Sequence, residues 1–238
     1  MDIAEGNNKE LRRAGIKQLL LTCFMIIIHM TIFFISAGHI AMLRPWIYFG
    51  ASFVHFSVST AVIYKFNPEL LVQRLKRKRE GSRLWDEILM RTCNLMVLLI
   101  VPVVAGLDIG RFHWSSLDIH FVIVGFILLI VSAVLIDWAM VVNPHFEPTV
   151  RIQKDRGHKV ITSGPYKIIR HPGYLAGILF ALSIPLIIGS LVTFIPSGIY
   201  TLLMMIRTWL EDRTLNKELD GYSEYVKRVR YRLFPGIW

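Results

Sequence analysis

The sequence has only two cysteines, Cys23 and Cys93, and each lies within a run of apolar residues. Two isolated cysteines exclude a disulfide framework and a CxxC metal or redox site. No spacing of histidine, cysteine or carboxylate residues is typical of metal ligands, so we expect no metal. Acids are scarce as well, because 17 Asp and Glu stand against 27 Lys and Arg. The cations stand beside apolar runs, which indicates orientation in a membrane and not a nucleic-acid partner.

Apolar residues are what the sequence has in abundance. They make up 54% of the 238 residues, and apolar stretches of about 20 residues recur, the length that a membrane-spanning helix needs. The sequence therefore predicts an all-α fold, a polytopic integral membrane helical bundle with five to six membrane helical segments. One acid, Asp137, lies deep in an apolar run, and such a residue is either functional or paired. The first four spans are expected at about residues 18–38, 46–64, 88–107 and 119–142.

The Lys and Arg residues follow the pattern expected of cytoplasmic loops. Segments 65–87 and 143–170 are both strongly basic, whereas Arg111 is the only Lys or Arg between the third and fourth spans. Basic residues also precede the first apolar run, which no small-residue cleavage site follows. We interpret that run as a retained span rather than a removed signal peptide. The N- and C-termini are accordingly expected in the cytoplasm.

The last apolar stretch, residues 174–206, is interrupted near Gly189 and Ser190 and contains two prolines. Each half has about 16 residues, fewer than the roughly 20 that a perpendicular helix needs to cross the hydrocarbon. We expect a helical hairpin that returns the chain to the cytoplasm. The chain thus divides into transmembrane helices over 1–142 and a part, 143–238, with a polar loop, this hairpin and a cytosolic C-terminal helix.

The segment 157–174 differs from the rest of the chain. It places glycines, prolines, His158, Arg170 and His171 directly before an apolar run. Glycine lets a backbone come close to a ligand, and proline restricts the path of a loop, so such a segment can hold a small molecule against the membrane face. The alternative is a basic turn that contacts anionic lipid headgroups.

Two stretches, GPYKIIRHPGYLAG and RTWLEDRTLNKELDGYSEYVKRV, resemble the isoprenylcysteine carboxyl methyltransferase family and its prokaryotic, phospholipid methyltransferase-like relatives. The resemblance extends from His158 to Pro235, roughly the last third of the chain. It implies an integral membrane enzyme that binds S-adenosylmethionine at the cytosolic face. The expected acceptor is lipid-soluble, either a lipophilic small molecule or a lipidated substrate.

The resemblance assigns site residues position by position. Arg207, Glu211 and Asp212 match the family's arginine and acidic pair, although the family usually has a second Glu where this chain has Asp212. The residues that match its cofactor loop are His158, Val160, Gly164, Pro165, Tyr166, Arg170, His171, Pro172 and Tyr174.

The chemistry of methyl transfer suits these residue types. An in-line displacement mainly requires that donor and acceptor be held close, aligned and away from water. The donor has an amino-acid end, for which Arg170 with His171 supplies positive charge, and a ribose diol, for which Glu211 supplies an acceptor. An arginine can orient an acceptor carboxylate through a two-pronged contact, and Arg207 is the candidate. Arg207 and Arg170 are thus the expected catalytic residues.

Each assignment has a structural alternative. Arg207 and Glu211 are four residues apart on an expected helix, so they can simply pair with each other. His171 can be a helix-start residue held by backbone contacts. Tyr166 and Tyr174 can be anchors at the membrane interface.

Two other functions stay open. One is an NADPH-dependent reductase of the sterol-reductase type, whose C-terminal part resembles the same family and whose ending is similar to YRLFPGIW; the GPY-to-RHP loop fits the methyltransferases better. The other is a transporter or a non-catalytic scaffold, which the gathering of unusual residues at one membrane face disfavours. The methyl acceptor stays open between a prenylated cysteine carboxylate, a phospholipid amine and another isoprenoid compound.

Overall fold

The computed structural model describes residues 2–76 and 81–238, with side chains from residue 9 onward. Arg77, Lys78 and Arg79 of the basic loop therefore lie outside the described residues. Within the described ranges the regular structure is entirely helical, which confirms the predicted all-α fold. The α-helices are α1 (Asp2–Ala37), α2 (Leu43–Phe66), α3 (Pro68–Arg74), α4 (Leu84–Leu95), α5 (Val101–Gly106), α6 (Phe121–Val142), α7 (Pro172–Ile188), α8 (Phe194–Glu218) and α9 (Tyr222–Arg228).

Among the residues that the structure describes, four helical segments are long and apolar enough to cross a bilayer. In the third of them, π-helical turns follow α4 and α5 and make one continuous segment. Large apolar side chains point outward along these segments, as in Leu43 at 75% exposure, which is the surface that lipid covers. The predicted membrane bundle is confirmed, and the four segments are Lys9–Ala37, Leu43–Phe66, Leu84–Phe112 and Phe121–Val142.

The expected hairpin consists of α7, with 17 residues, and α8, with 25. Gly189 caps the C-terminal end of α7, and its φ of +96° favours glycine. Arg44 donates hydrogen bonds to the carbonyls of Leu186 and Ile187 in the last turn of the helix. α8 then continues through Arg207 without a break, because no glycine or proline near that residue ends the helix. The expected cytosolic helix is thus the second half of α8, followed by α9. The division of the chain at residue 142 stays a prediction.

Close packing of α6 against α7 builds the centre of the bundle. A Cβ added at Gly125 would lie 2.7 Å from the Ile187 side chain, so only glycine allows this approach. Further along the same pair of helices, the Ser132 hydroxyl donates to the carbonyl of Ala176 at 2.7 Å. Asp137 of α6 accepts a hydrogen bond from Ser59 of α2 at 2.5 Å, so the acid within the fourth span is paired.

Cysteine accessibility tests the predicted topology. In a variant without Cys23 and Cys93, a single cysteine at exposed position Lys76 or Lys154 is expected to resist a membrane-impermeant maleimide in intact cells and to react after permeabilisation. A cysteine at Ser116, in the exposed loop before α6, is the matched control and should react in intact cells. Labelling of position 76 or 154 from outside would contradict the topology.

Candidate active site

One cavity opens at the end of the bundle that carries the loop 143–171, which we call the loop end. Its volume is about 460 Å³, and it reaches inward between α1, α2, α6, α7 and α8. Most of the predicted site residues meet there. Those that line the cavity are His158, Val160, Tyr166, Arg170, His171, Tyr174, Arg207 and Glu211.

The other predicted residues shape the site without lining this cavity. Gly164 has a φ of +56°, and a Cβ added there would lie 2.8 Å from Nε1 of Trp138, so the loop needs glycine to pack on α6. Pro165 is buried in the 3-10 turn that Gly164 begins. Pro172 is the first residue of α7, a position where its missing N–H loses no helical hydrogen bond. Asp212, the fourth, lies buried behind the loop.

Tyr166 is a fixed wall of the cavity. Its hydroxyl accepts a hydrogen bond from Nδ2 of Asn143 at 2.9 Å, and its carbonyl accepts one from the Tyr225 hydroxyl at 2.7 Å. Burial raises the pKa of Tyr166 well above its ordinary value, so the phenol stays protonated. With both its ends bound inside the protein, Tyr166 is not an anchor at the lipid surface.

Asp212 is the centre of a buried cluster with Arg170, His171, Tyr222 and Arg232, which we call the Asp212 hub. Its carboxylate accepts from Arg170 at 2.7 and 2.9 Å, from the Tyr222 hydroxyl at 2.8 Å and from Nε of Arg232 at 2.9 Å, while Nε2 of His171 lies 3.2 Å away. Burial alone would raise the pKa of Asp212, but the hydrogen bonds from His171 and Arg170 outweigh it and hold the pKa far below its usual range. The hub therefore joins the start of α7 to α8 and to the segment after α9.

Arg170 uses almost all of its hydrogen-bonding capacity within the protein. Besides its two bonds to Asp212, Nη1 donates to the carbonyls of Val229 and Arg230, both at 2.8 Å. A guanidinium group has five N–H bonds, so about one is left. This geometry supports a positioning role for Arg170, which fixes the loop, more than direct contact with a ligand.

His171 combines a backbone role with a place in the cavity wall. Its N–H donates to the carbonyl of Arg232 at 3.0 Å, and its carbonyl accepts from the N–H of Tyr174 in the first turn of α7. Its ring also lies parallel to that of Tyr174, with centroids 5.6 Å apart. The helix-start alternative is thus an accurate description of its backbone, while its side chain faces the site.

Arg207 forms a second buried ion pair, with Asp86 of α4. Nε donates to Oδ1 of Asp86 at 2.6 Å, and Nη2 donates to the carbonyl of Pro148 at 2.7 Å. The Asp86 carboxylate also accepts from the N–H of Val150 at 2.7 Å. The Arg207 guanidinium lies over the Tyr174 ring, 4.8 Å from its centre. The pair thereby ties α4, α8 and the loop 148–150 together at one wall of the cavity.

Glu211, the alternative partner weighed for Arg207, accepts a hydrogen bond from the Tyr174 hydroxyl instead. Among the described residues, Nη1 of Arg207 and Oε1 of Glu211 have no hydrogen-bond partner, and both side chains line the cavity. The wall formed by these residues therefore offers a ligand one cationic N–H group and one carboxylate oxygen.

Sequence reasoning missed Asp86. This residue lies at the end of a strongly basic segment. Orientation in the membrane explains the charges of that segment, so no separate role was expected for Asp86. The signal in the sequence was an acid in the first turn of a helix, directly before an apolar run. Such a group needs a partner if the helix end is buried, and Asp86 is 0% exposed.

A second group that the sequence did not reveal adjoins His158. Gln153, 1% exposed, donates to the carbonyl of His145 at 2.8 Å and accepts from Arg156 at 2.9 Å. The ring centroids of His145 and His158 are 4.5 Å apart. Burial lowers the pKa of both histidines, to about 4 for His158, so both are neutral near pH 7. They form an uncharged polar wall at the loop end of the cavity.

Residues 123–217 match the family model described as the isoprenylcysteine carboxyl methyltransferase (ICMT) family. The resemblance to this family is confirmed. The matched segment runs from α6 through the loop and α7 to the last turn of α8, and it contains every residue of the predicted site. The comparison thus supports a membrane methyltransferase.

A second similarity is to the Delta(14)-sterol reductase of Mus musculus. It is 32% identical over 85 residues, which make up 34% of this chain and 20% of the reductase. The aligned segment thus spans about one fifth of the length of that relative.

The Asp212 hub should be essential for stability. Asp212→Asn keeps the shape of the side chain but leaves Arg170 and Arg232 without their counter-charge, so we expect the free energy of unfolding to fall by about 3–5 kcal/mol. Reversible unfolding in SDS would measure the loss. Asp220→Asn, at an exposed acid after α8, is the control and should change stability by less than about 0.5 kcal/mol. Equal effects of the two substitutions would contradict the role of the hub.

Proposed function

We propose that this protein is an S-adenosylmethionine-dependent methyltransferase that acts on a lipid-soluble acceptor, of which a prenylcysteine-type carboxylate is the leading example. One observation carries the proposal. A single cavity joins a polar loop end, lined by the predicted cofactor residues, to an interior enclosed by membrane-spanning helices. A polar donor and a greasy acceptor then approach the same wall, formed by Tyr174, Arg207 and Glu211, from opposite sides.

The residues at the loop end fit the donor. Glu211 would accept from ribose hydroxyls through its open Oε1, and the neutral His145 and His158 offer hydrogen bonds without charge to a heterocyclic base. Tyr166 and His171 would confine the ligand, because contacts within the protein hold both in place. When bound, the donor supplies an electrophilic methyl group, whose carbon–sulfur bond breaks as the bond to the acceptor oxygen forms and whose electron pair stays on sulfur.

Arg207 is placed to orient an anionic acceptor. Nε and Nη2 are held by Asp86 and Pro148, so the guanidinium plane is fixed and Nη1 is the group left for a carboxylate. This is a one-sided contact instead of the two-pronged one expected from the sequence. A carboxylate acceptor has no proton to lose, so the protein has mainly to align it and to exclude water. Arg170 would contribute indirectly, by holding the loop through the Asp212 hub.

The second candidate function is an NADPH-dependent lipid reductase. Its support is the similarity to the mouse Delta(14)-sterol reductase, which covers 34% of this chain. The two functions demand different ligands at the loop end, so ligand binding separates them. A transporter or scaffold predicts neither ligand.

Ligand-induced stabilisation tests the proposal. S-adenosylmethionine and S-adenosylhomocysteine are each expected to raise the Tm of the detergent-solubilised protein, and NADPH is not. Glu211→Gln should weaken binding of S-adenosylmethionine by about tenfold, within the roughly 1–3 kcal/mol expected for a lost charged hydrogen bond. Glu224→Gln, at an exposed acid of α9, is the matched control. Stabilisation by NADPH alone would favour the reductase, and no stabilisation by any of the three would contradict both enzymes.

A kinetic experiment tests the role of Arg207. Arg207→Ala should lower methyl transfer from labelled S-adenosylmethionine to N-acetyl-S-farnesyl-cysteine at least tenfold, yet leave donor affinity within about threefold, because the lost contact acts on the acceptor at the reacting centre. Arg207→Lys should rescue poorly. An ammonium group lacks the planar guanidinium, which binds Asp86 on one side and leaves Nη1 for the acceptor on the other.

The control for this experiment is the double variant Arg207→Ala with Asp86→Asn. It removes the buried carboxylate that the single variant leaves unpaired, and it should restore stability but not turnover. Loss of donor affinity in Arg207→Ala equal to that in Glu211→Gln would contradict an acceptor role for Arg207.

A further inference from the structure

The inner end of the cavity is a layer of aromatic side chains. His55 and Phe56 of α2 and Phe180 of α7 all line the cavity there. The His55 and Phe56 ring centroids are 4.7 Å apart, and the Phe180 centroid lies 6.1 Å from the first and 5.6 Å from the second. We call these three residues the aromatic floor.

The aromatic floor lies well inside the membrane part of the bundle. Phe56 is ten residues before the end of α2 at Phe66, and Ser132, which lines the same depth, is ten residues before the end of α6 at Val142. At 1.5 Å per helical residue, both are about 15 Å from the loop end. The wall that would hold the acceptor carboxylate is nearer, because Tyr174 is six residues before Phe180 on α7, or about 9 Å along the helix.

Side chains between the loop end and the aromatic floor suit a hydrocarbon chain. The charged residues Arg207 and Glu211 stand at the wall near the loop end of the cavity, whereas apolar side chains and hydroxyl groups line it deeper in the bundle. The hydroxyls of Ser132, Ser59 and Thr60 already bond within the protein. The apolar side chains of this stretch include Met90, Ile136 and Met204.

Beyond the aromatic floor the protein is closed. Phe49, Leu129, Ile184 and Ile187 form the main buried core there, and none is more than 4% exposed. Phe180 packs against this core from the cavity side. Interiors packed at this density leave no room for a chain to continue, so a ligand that enters from the loop end must stop at the floor.

We propose that the aromatic floor sets the longest hydrocarbon chain that the acceptor can carry, and that Phe180 is the specificity-determining residue. This inference rests on the proposed function, because it assigns the inner cavity to the acceptor. Phe180 decides the limit since its ring contacts both other rings of the floor and rests directly on the core. The acceptor class is therefore a carboxylate that carries one hydrocarbon chain whose length the aromatic floor limits.

Binding of chain-length probes tests the inference without methyl transfer. The probes are N-acetyl-S-alkyl-cysteines with straight chains of about 2 to about 20 carbons, added to the protein in lipid nanodiscs, and the readout is the Tm. A free chain dissolves in lipid as well as in the cavity, so added carbons should change the stabilisation little until they reach the floor. Beyond the length at which the chain meets the floor we expect apparent affinity to fall at least tenfold.

Two variants should lengthen the permitted chain. Phe180→Ala opens the floor towards the core, and Phe56→Ala does so at a ring that is already 36% exposed, which protects the test if the first variant folds poorly. Each should move the limit upward by about four carbons. Phe34→Ala is the matched control, because it removes an aromatic ring that packs on the same core but does not line the cavity.

Three outcomes would overturn the inference: no length limit in the unaltered protein, an unchanged limit in both floor variants, or no stabilisation by any probe. Stabilisation by S-adenosylmethionine is measured separately on the same samples. If the donor fails to stabilise the protein while the length limit appears, the proposed methyltransferase function is contradicted and the chain-binding cavity stands. If the donor stabilises it and no limit appears, only the chain-length inference fails.

Discussion

The site depends on the hydrogen bonds that the buried carboxylate of Asp212 accepts. It is 5% exposed and accepts hydrogen bonds from two arginines and a tyrosine that come from different parts of the chain. A buried arginine is costly without a counter-charge, so Arg170 stays inside only while Asp212 holds it, and the partly exposed Arg232 binds the same carboxylate. Through them the loop before α7 and the segment after α9 are pinned to α8. The positions of Arg170 and His171 follow from this one acid, whereas Tyr166 is held by Asn143 and Tyr225.

The two buried ion pairs give the two arginines different tasks. Arg170 uses most of its hydrogen bonds on Asp212 and on backbone carbonyls, which supports a positioning role. Arg207 is held on one side by Asp86 and keeps a free group on the other, which faces the cavity. A guanidinium fixed in this way needs little rearrangement when an anion arrives, and such preorganised charge is what stabilises a transition state.

The cavity relates both tasks to the membrane. Its polar end is built from irregular backbone and neutral histidines. Such groups are tolerated next to the membrane because they line a cavity and do not face lipid. Its apolar end is built from regular helices and stops at aromatic rings on a closed core. In the proposed function, a polar donor and an apolar chain would stay on separate sides of the wall formed by Tyr174, Arg207 and Glu211, where only their reacting groups would meet.

The sequence by itself determined the all-helical membrane bundle and singled out the loop 157–174, because hydropathy, turn residues and motifs are local properties. Through the family resemblance it also identified Arg207, Glu211 and six other residues that line the cavity. Only the tertiary structure decided which charges pair. Asp86 and Arg207 are 121 positions apart, and nothing in either local pattern names the other. The same holds for the aromatic floor, since His55 and Phe180 acquire a shared role only when helix packing brings α2 and α7 to the same depth.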